Sequence, residues 1–229
     1  HNKSLRLFKE KESDGALPLS SVGIPVDITN GHLTPVFLGL RKPVLDKFGF
    51  YDTGHLFCFL PLPIKSPLAF HVNGTFAVSS DRQRLLTRTE DDKDNTRQYV
   101  WNDSLLSDAT LEAILELLIV INNSATENYL GYELWPTTGE DILWGTLQDE
   151  FFKAVVERLL PVFKTHQGYK TFQECIFLHV EMQSDEHLNK IAFDILKENP
   201  LDGKIITDIP DEIYQKLEAC HGKTFVKHV

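Results

Sequence analysis

The chain has 229 residues, of which 42% are hydrophobic and 24% charged, and its formal net charge at pH 7 is −10. This composition is ordinary for a soluble globular protein, and the acidic balance argues against nonspecific binding to nucleic acid or anionic membranes, which needs a basic surface. No apolar run reaches the roughly 18 residues that a membrane span needs, and the N-terminus has no signal-peptide core. Because the chain begins with His1 rather than Met, we expect a fragment of a longer protein.

The cysteines and histidines predict neither a disulfide nor a metal site. Cys58, Cys175 and Cys220 are odd in number, and the first two lie in apolar runs, which favours unpaired thiols in a reducing, intracellular compartment. His55 and Cys58 form one H-x-x-C pair and Cys220 precedes a histidine, but no second pair has zinc spacing. We therefore predict that the protein binds no metal.

The stretch Gly54–Leu86 organises the first part of the chain, and its first half predicts strand followed by turn or edge. Leu56–Leu60 has the length and aromatic content of a buried strand. Pro61, Pro63 and Pro67 then exclude helix and central strand, because proline lacks the N–H that both require. Together with shorter extended runs before it, this stretch predicts a β-rich first third.

The second half of this stretch predicts a hairpin and then a helix start. Asn73 and Gly74 separate two apolar runs, and Asn-Gly is a strong hairpin signal because both residues accept positive φ. Ser79-Ser80-Asp81 has the composition of a helix N-terminus, which would place Arg82 and Arg84 in the first turn.

Two long helices are predicted in the middle of the chain. Asp108–Asn122 is apolar except for a stripe of three carboxylates four residues apart, so we expect a helix buried on most sides. The stripe, formed by Asp108, Glu112 and Glu116, is interpreted as a solvent-facing edge. A 3.6-residue apolar period predicts a second helix over Thr146–His166. The polar segment Thr89–Arg97 predicts a solvated loop.

The last sixty residues predict a β-α-β-α order. Cys175–Met182 predicts a buried strand, Ser184 a cap for the next helix, and Lys204–Thr207 a second strand before a helix that Pro210 opens. The inner face of the first helix is predicted to be Leu188, Ile191, Ala192, Ile195 and Leu196. The fold class is therefore mixed α/β (α+β), with a β-rich sheet packed on long helices in residues 1–170 and a small β-α-β-α subdomain in 171–229.

No catalytic apparatus is visible in the sequence. The nucleophile elbow G-x-S-x-G, C-x-x-C and H-E-x-x-H are absent, as are the Walker loop and G-x-G-x-x-G. We therefore predict no catalytic residue, no cofactor and no enzyme activity.

One group of residues has the chemistry of an anion site. Ser79, Ser80, Arg82 and Arg84 combine hydroxyls, backbone amides at a predicted helix start and two guanidinium groups. The alternative interpretation is that both arginines pair with nearby acids such as Asp81, Glu90 or Asp91.

Several ordered motifs give the chain a resemblance to a known family. The run CFLPLPIKSPLAFHVNGTFAVSSDRQRL, which begins at Cys58, resembles the signature of the sacsin-repeat family. Val22–Val26 is similar to an upstream run of that family, and Trp101–Leu106 is similar to its downstream "WN-LL" run. The motifs cover roughly residues 20 to 125.

The resemblance implies a fold and a role. Sacsin repeats are similar to the large heat-shock chaperones, so it implies the fold of their middle domain, following an ATPase domain, with Arg82 or Arg84 sensing phosphate. It also implies a cytoplasmic, non-catalytic chaperone or co-chaperone module. Its partners would be the seventy-kilodalton heat-shock machinery, unfolded or cytoskeletal clients, and a neighbouring ATPase domain in cis. Two alternatives remain open: an accessory domain supplying an arginine to ATP hydrolysis, and a structural spacer in a repeat array.

Overall fold

The computed structural model describes residues 17–24, 26–29, 32–35, 54–87, 96–124, 132–137, 142–178, 185–207 and 209–221. The fold is mixed α/β, as predicted. The chain divides into two compact units, the first drawn from His1–Tyr129 and Glu133–Phe151 and the second from Leu130–Tyr132 and Phe152–Val229. The boundary at residue 170 stays a prediction.

The first unit is built on a four-stranded sheet. The strands are β1 Ser20–Gly23, β4 Gly54–Cys58, β5 Leu60–Ser66 and β6 His71–Gly74, in the order β1-β6-β4-β5. Strands β2 Val26–Thr29 and β3 His32–Pro35 form a separate antiparallel pair. Strands β4 and β6 are parallel, whereas the β1–β6 and β4–β5 pairs are antiparallel. The buried strand predicted over Leu56–Leu60 is present as β4 with Leu56 fully buried, but it ends at Cys58, and Phe59 and Leu60 are exposed.

The proline-rich run forms an edge strand, as its composition predicted. β5 lies at the edge of the sheet and pairs with β4. Pro61 and Pro63 are exposed along it, while Leu62 between them is buried. An edge position suits proline because one side of the strand makes no ladder hydrogen bonds.

The hairpin predicted at Asn73–Gly74 is wrong, because both residues lie inside β6. Asn73 is a ladder residue whose side-chain Oδ1 also accepts a hydrogen bond from the Phe59 backbone N–H at 3.1 Å. A Cβ on Gly74 would lie 3.0 Å from the Phe76 ring and 3.2 Å from Leu105. Glycine is used here for close packing rather than for a positive φ.

A single helical segment follows the sheet. It consists of α1 Thr96–Ser104, a π-helical stretch Leu105–Thr110 and α2 Leu111–Ser124. The predicted helix at 108–122 is confirmed, but the segment begins earlier. Its buried apolar residues are Leu105, Leu106, Leu111, Ile114, Leu115, Leu118 and Ile121. On the predicted acidic stripe, Glu112 and Glu116 are exposed and Asp108 is half-exposed.

The next helix ends earlier than its sequence period predicted. α3 spans Ile142–Glu157, and Phe163–Thr165 forms strand β7. Leu159 has a φ of 53°, and Pro161 has no N–H to donate to a continuing helix. The chain therefore leaves the helix and buries Phe163 in a strand instead.

The second unit contains the predicted β-α-β-α order together with an additional hairpin. Its elements are β7 Phe163–Thr165, β8 Gly168–Lys170, β9 Cys175–Phe177, α4 Glu186–Glu198, β10 Ile205–Thr207 and α5 Asp211–His221. The sheet order is β8-β7-β10-β9, and β9 and β10 are parallel. The hairpin β7–β8 is antiparallel and was not predicted.

Helix α4 exposes most of the face that was predicted to be buried. Leu188, Ile191 and Ile195 are 46%, 42% and 57% exposed, and the helix has no buried residue. Its cap is Asp185, whose side chain accepts hydrogen bonds from two backbone N–H groups. Ser184, the predicted cap, lies outside the described residues.

The three cysteines form no disulfide. Cys175 is buried, and burial, followed by the charge of Glu174, raises the pKa of its thiol to about 12. Over the described ranges no helix is long and apolar enough to cross a membrane. Within the same ranges, no group of three or more His, Cys, Asp or Glu residues is placed to hold a metal ion.

Candidate functional site

The connection between β4 and β5 presents two apolar side chains to solvent. We call Phe59 and Leu60 the hairpin tip; they are 74% and 65% exposed. Phe59 has a φ of 61°, a region that bulky residues rarely adopt. Its N–H is held by the Asn73 side chain, so β6 fixes this backbone conformation.

Ser79 to Arg84 form a tight loop, which we call the arginine loop. Val78 and Leu85 pair as an antiparallel bridge at its base, and the Ser79 N–H donates to the Arg84 carbonyl at 3.0 Å. The Arg82 N–H donates to the Ser79 carbonyl at 2.8 Å, and Arg82 has a φ of 57°. The helix start predicted here is therefore wrong, because the chain reverses and pairs with itself.

The arginine loop is stabilised by a carboxylate of its own. Asp81 Oδ1 accepts hydrogen bonds from Ser79 Oγ at 2.5 Å and from the Gln83 N–H at 3.1 Å. These two bonds, in that order, lower the pKa of Asp81, and the charge of Arg84 adds to the effect. The Arg84 N–H donates to Ser79 Oγ at 3.2 Å. The backbone amides of Ser79, Arg82, Gln83 and Arg84 are thus bonded within the loop rather than directed at an external anion.

The loop brings the four predicted site residues together and places them beside the hairpin tip. Ser80, Arg82 and Arg84 are exposed and Ser79 is half-buried. The Arg82 Nη2 donates to the Cys58 carbonyl, next to the tip, at 3.1 Å. The sequence did not predict the exposed tip, because Phe59 and Leu60 continue an apolar run that is typical of a buried strand.

Two residues of the first helix anchor the base of the arginine loop. Trp101 Nε1 donates to the Thr75 carbonyl at 2.7 Å. Asn102 is fully buried; it accepts from the Ala77 N–H and donates to the Ala77 carbonyl, both at 2.7 Å, and to the Leu86 carbonyl at 2.9 Å. The Trp-Asn motif therefore ties together the two chain segments that lead into and out of the loop.

Two histidines lie close together where β4 and β6 run side by side. The His55 backbone N–H donates to Nδ1 of His71 at 3.1 Å, and the ring centroids are 5.8 Å apart. Burial, followed by the charge of His55, lowers the pKa of His71 below 6.5. The hydrogen bond requires Nδ1 to be unprotonated, so the neutral ring fits the folded state.

Stability should therefore fall as the pH is lowered. Below pH 6.5 the unfolded chain binds a proton at His71 that the folded chain does not, so the free energy of unfolding declines until the lowered folded pKa is passed. His71→Asn retains an acceptor without a titrating ring and should flatten this dependence between pH 7.5 and 5. Urea unfolding at several pH values measures it. An unchanged slope in His71→Asn would contradict the assignment.

Comparison with known proteins identifies part of the chain. A segment of 87 residues is 36% identical to human sacsin, covering 36% of this chain and 2% of sacsin. The chain therefore contains a sacsin-like segment, and the resemblance inferred from its motifs is confirmed at that level. No protein-family model matches the chain, and no solved structure matches it. The likeness to the middle domain of the large heat-shock chaperones stays a prediction.

Proposed function

We propose that the chain is a non-catalytic chaperone or co-chaperone module of a sacsin-like protein that acts in the cytoplasm and binds exposed apolar segments of clients. The sacsin-like segment supports this role. The partners we propose are the seventy-kilodalton heat-shock machinery, unfolded or cytoskeletal clients, and a neighbouring ATPase domain in cis. In this role the chain needs no catalytic residue and no cofactor.

The observation that carries the proposal is the exposed hairpin tip. Leu17 and Leu19 are also exposed and lie at the same end of the sheet, because their carbonyls accept hydrogen bonds from Thr75, just after β6. Burial of exposed apolar surface against another apolar surface contributes about 25 cal/mol of favourable free energy per Å². A cluster at one end of a sheet is therefore a place where a client's apolar residues can bind.

The tip is suited to binding without a large conformational change. Its backbone is fixed by Asn73 on one side and by the Arg82 guanidinium on the other. A backbone that is already fixed loses little conformational freedom on association, which favours affinity. We therefore expect client binding that is independent of ATP.

Suppression of client aggregation tests the proposal. A thermally unfolding protein is followed by light scattering with a few-fold excess of the chain, and scattering should fall in proportion to the amount added. The double variant Phe59→Ser, Leu60→Ser should lose more than about nine-tenths of this effect, because two side chains that each contribute about 1.5 kcal/mol or more together change the affinity by more than about a hundredfold. Val120→Ser is the matched control, since Val120 is 54% exposed on helix α2 of the same unit.

The outcomes separate the proposed role from a spacer. Equal suppression by all three proteins would place client binding elsewhere on the chain. No suppression by the wild-type chain would contradict client binding and favour a structural spacer. An inert acidic protein serves as the control for nonspecific effects.

A second candidate function is an arginine supplied to ATP hydrolysis by a neighbouring ATPase domain. The exposure of Arg82 and Arg84 on a tight loop favours it, whereas the hydrogen bonds of Asp81 to the same loop count against it. The test uses a longer chain that includes the adjoining ATPase segment. Equal ATP binding and hydrolysis after Arg82→Ala and Arg84→Ala would exclude this role.

A further inference from the structure

Backbone strain is concentrated beside the hairpin tip. Within the described ranges, three residues other than glycine have a positive φ, namely Phe59, Arg82 and Leu159. The first two are neighbours, because the Arg82 guanidinium donates to the carbonyl that precedes Phe59. Strained backbone persists where surrounding structure enforces it, and it clusters at binding sites. This observation is independent of the exposure of the tip.

The charge near the tip is opposite to that of the chain as a whole. The chain carries a net charge of −10, yet the loop bonded to the tip exposes two guanidinium groups. The carboxylate of that loop, Asp81, is hydrogen-bonded to Ser79 and Gln83 within the loop. Arg82 thus places positive charge next to the hairpin tip, and Arg84 adds a second exposed guanidinium group on the same loop.

We propose that the hairpin tip and the arginine loop together bind extended segments in which an apolar side chain is flanked by carboxylates. This inference rests on the proposed function and narrows its class of client. The apolar side chain would pack on Phe59 and Leu60, and the carboxylates would pair with Arg82 and Arg84. Guanidinium groups suit this role, because they bind carboxylates through two parallel hydrogen bonds.

Charge complementarity selects this occupant over a second copy of the chain. Two copies, each with a net charge of −10, repel at long range, whereas a short acidic segment carries much less charge and can approach the exposed guanidinium groups of Arg82 and Arg84. The experiment also tests competition from the chain's own acidic residues between Glu90 and Asp94, which follow the arginine loop in sequence.

The experiment uses the full chain and three fluorescent twelve-residue peptides in anisotropy titrations. The first has a Leu-Phe core with Asp and Glu flanks, the second the same core with Lys flanks, and the third acidic flanks with a Ser core. The first peptide should bind about tenfold more tightly than either of the others, and added salt should reduce this preference.

Variants separate the contribution of charge from that of the apolar tip. Arg84→Gln and Arg82→Gln should each lower affinity for the first peptide severalfold and leave the second unweakened. Arg84→Gln changes the loop structure least, because Arg84 closes the loop through its backbone, which the substitution leaves in place. Lys65→Gln is the matched control, because Lys65 is an exposed cation at the opposite end of β5. Circular dichroism and urea midpoints verify that each variant is folded.

Each remaining outcome overturns the inference in a distinguishable way. If the two Leu-Phe peptides bind equally well, the proposed function is still supported, but the preference for acidic flanks is contradicted. Binding of neither Leu-Phe peptide would contradict both. If sedimentation velocity shows a dimer that is lost in Phe59→Ser, the hairpin tip is the contact between two copies of the chain. If the first peptide binds only after Glu90, Asp91 and Asp92 are neutralised, the arginines bind the chain's own acidic residues instead of a client.

Discussion

Replacing Asn102 with Ala should lower the free energy of unfolding by about 3 kcal/mol. The side chain makes three hydrogen bonds of 2.7 to 2.9 Å to the backbone of Ala77 and Leu86. Its removal deprives the Ala77 N–H and the Leu86 carbonyl of this partner in a part-buried setting, where each unsatisfied group costs about 1–3 kcal/mol. The Ala77 carbonyl keeps the hydrogen bond from the Leu86 N–H at 3.1 Å. Urea denaturation followed by circular dichroism measures the loss.

Asn122→Ala is the matched control on the same helical segment. The Asn122 Oδ1 is buried and accepts no hydrogen bond from any residue that the structure describes. Its truncation should cost less than about 1 kcal/mol, because no amide–carbonyl bond of that oxygen is lost. Equal losses for the two variants would show that the Asn102 hydrogen bonds contribute little.

Gly54→Ala should destabilise the first unit by about 3 kcal/mol. A Cβ at this position would lie 2.3 Å from the Phe70 carbonyl oxygen and 2.4 Å from that of Leu68. Both are backbone atoms, so no side-chain rotation relieves the clash and the strand must move. Overpacking of this kind costs about 1–3 kcal/mol and occasionally more. The unfolding midpoint in urea reports the change.

Gly23→Ala provides the comparison within the same sheet. Nothing lies within 4 Å of a Cβ placed on Gly23 in β1, so stability should change by less than about 0.5 kcal/mol. If both variants lost the same stability, the effect would come from the loss of a strand glycine in general rather than from the close approach at Gly54.

The elements that sequence predicted well are those in which local pattern and burial agree. Leu56 lies in a short apolar run and is buried in β4, and the prolines of β5 leave only an edge position. The helix at 108–122 is rich in apolar residues and buries Leu111, Ile114, Leu115, Leu118 and Ile121, although Val120 is 54% exposed. In these segments the local sequence pattern favours one secondary structure, and the tertiary packing favours the same one.

The errors arise where a partner distant in sequence decides the outcome. Asn73–Gly74 has the composition of a turn, but both residues pair with β1, and Asn73 also pairs with β4. The predicted helix start at Ser79 becomes a loop, because Asn102, a residue of the following helix, holds its two ends together. Neither interaction leaves a signal within the segment itself.

The candidate site was partly predictable. Ser79, Ser80, Arg82 and Arg84 lie within six residues, so any compact turn would bring them together. The exposure of Phe59 was not predictable, since an aromatic residue in an apolar run is expected to be buried. The same reasoning fails for α4, whose aliphatic residues have a helical period but remain in contact with solvent.

The position of Asn73–Gly74 inside a strand also affects how the protein ages. Deamidation of asparagine begins when the next backbone nitrogen attacks the side-chain carbonyl carbon, and a following glycine makes this attack easy in a flexible chain. Here β6 is paired on both sides, and Asn73 Oδ1 is held by the Phe59 N–H. The folded chain therefore protects a chemically labile dipeptide. The rate at which Asn73 converts to aspartate should depend on how often the sheet opens.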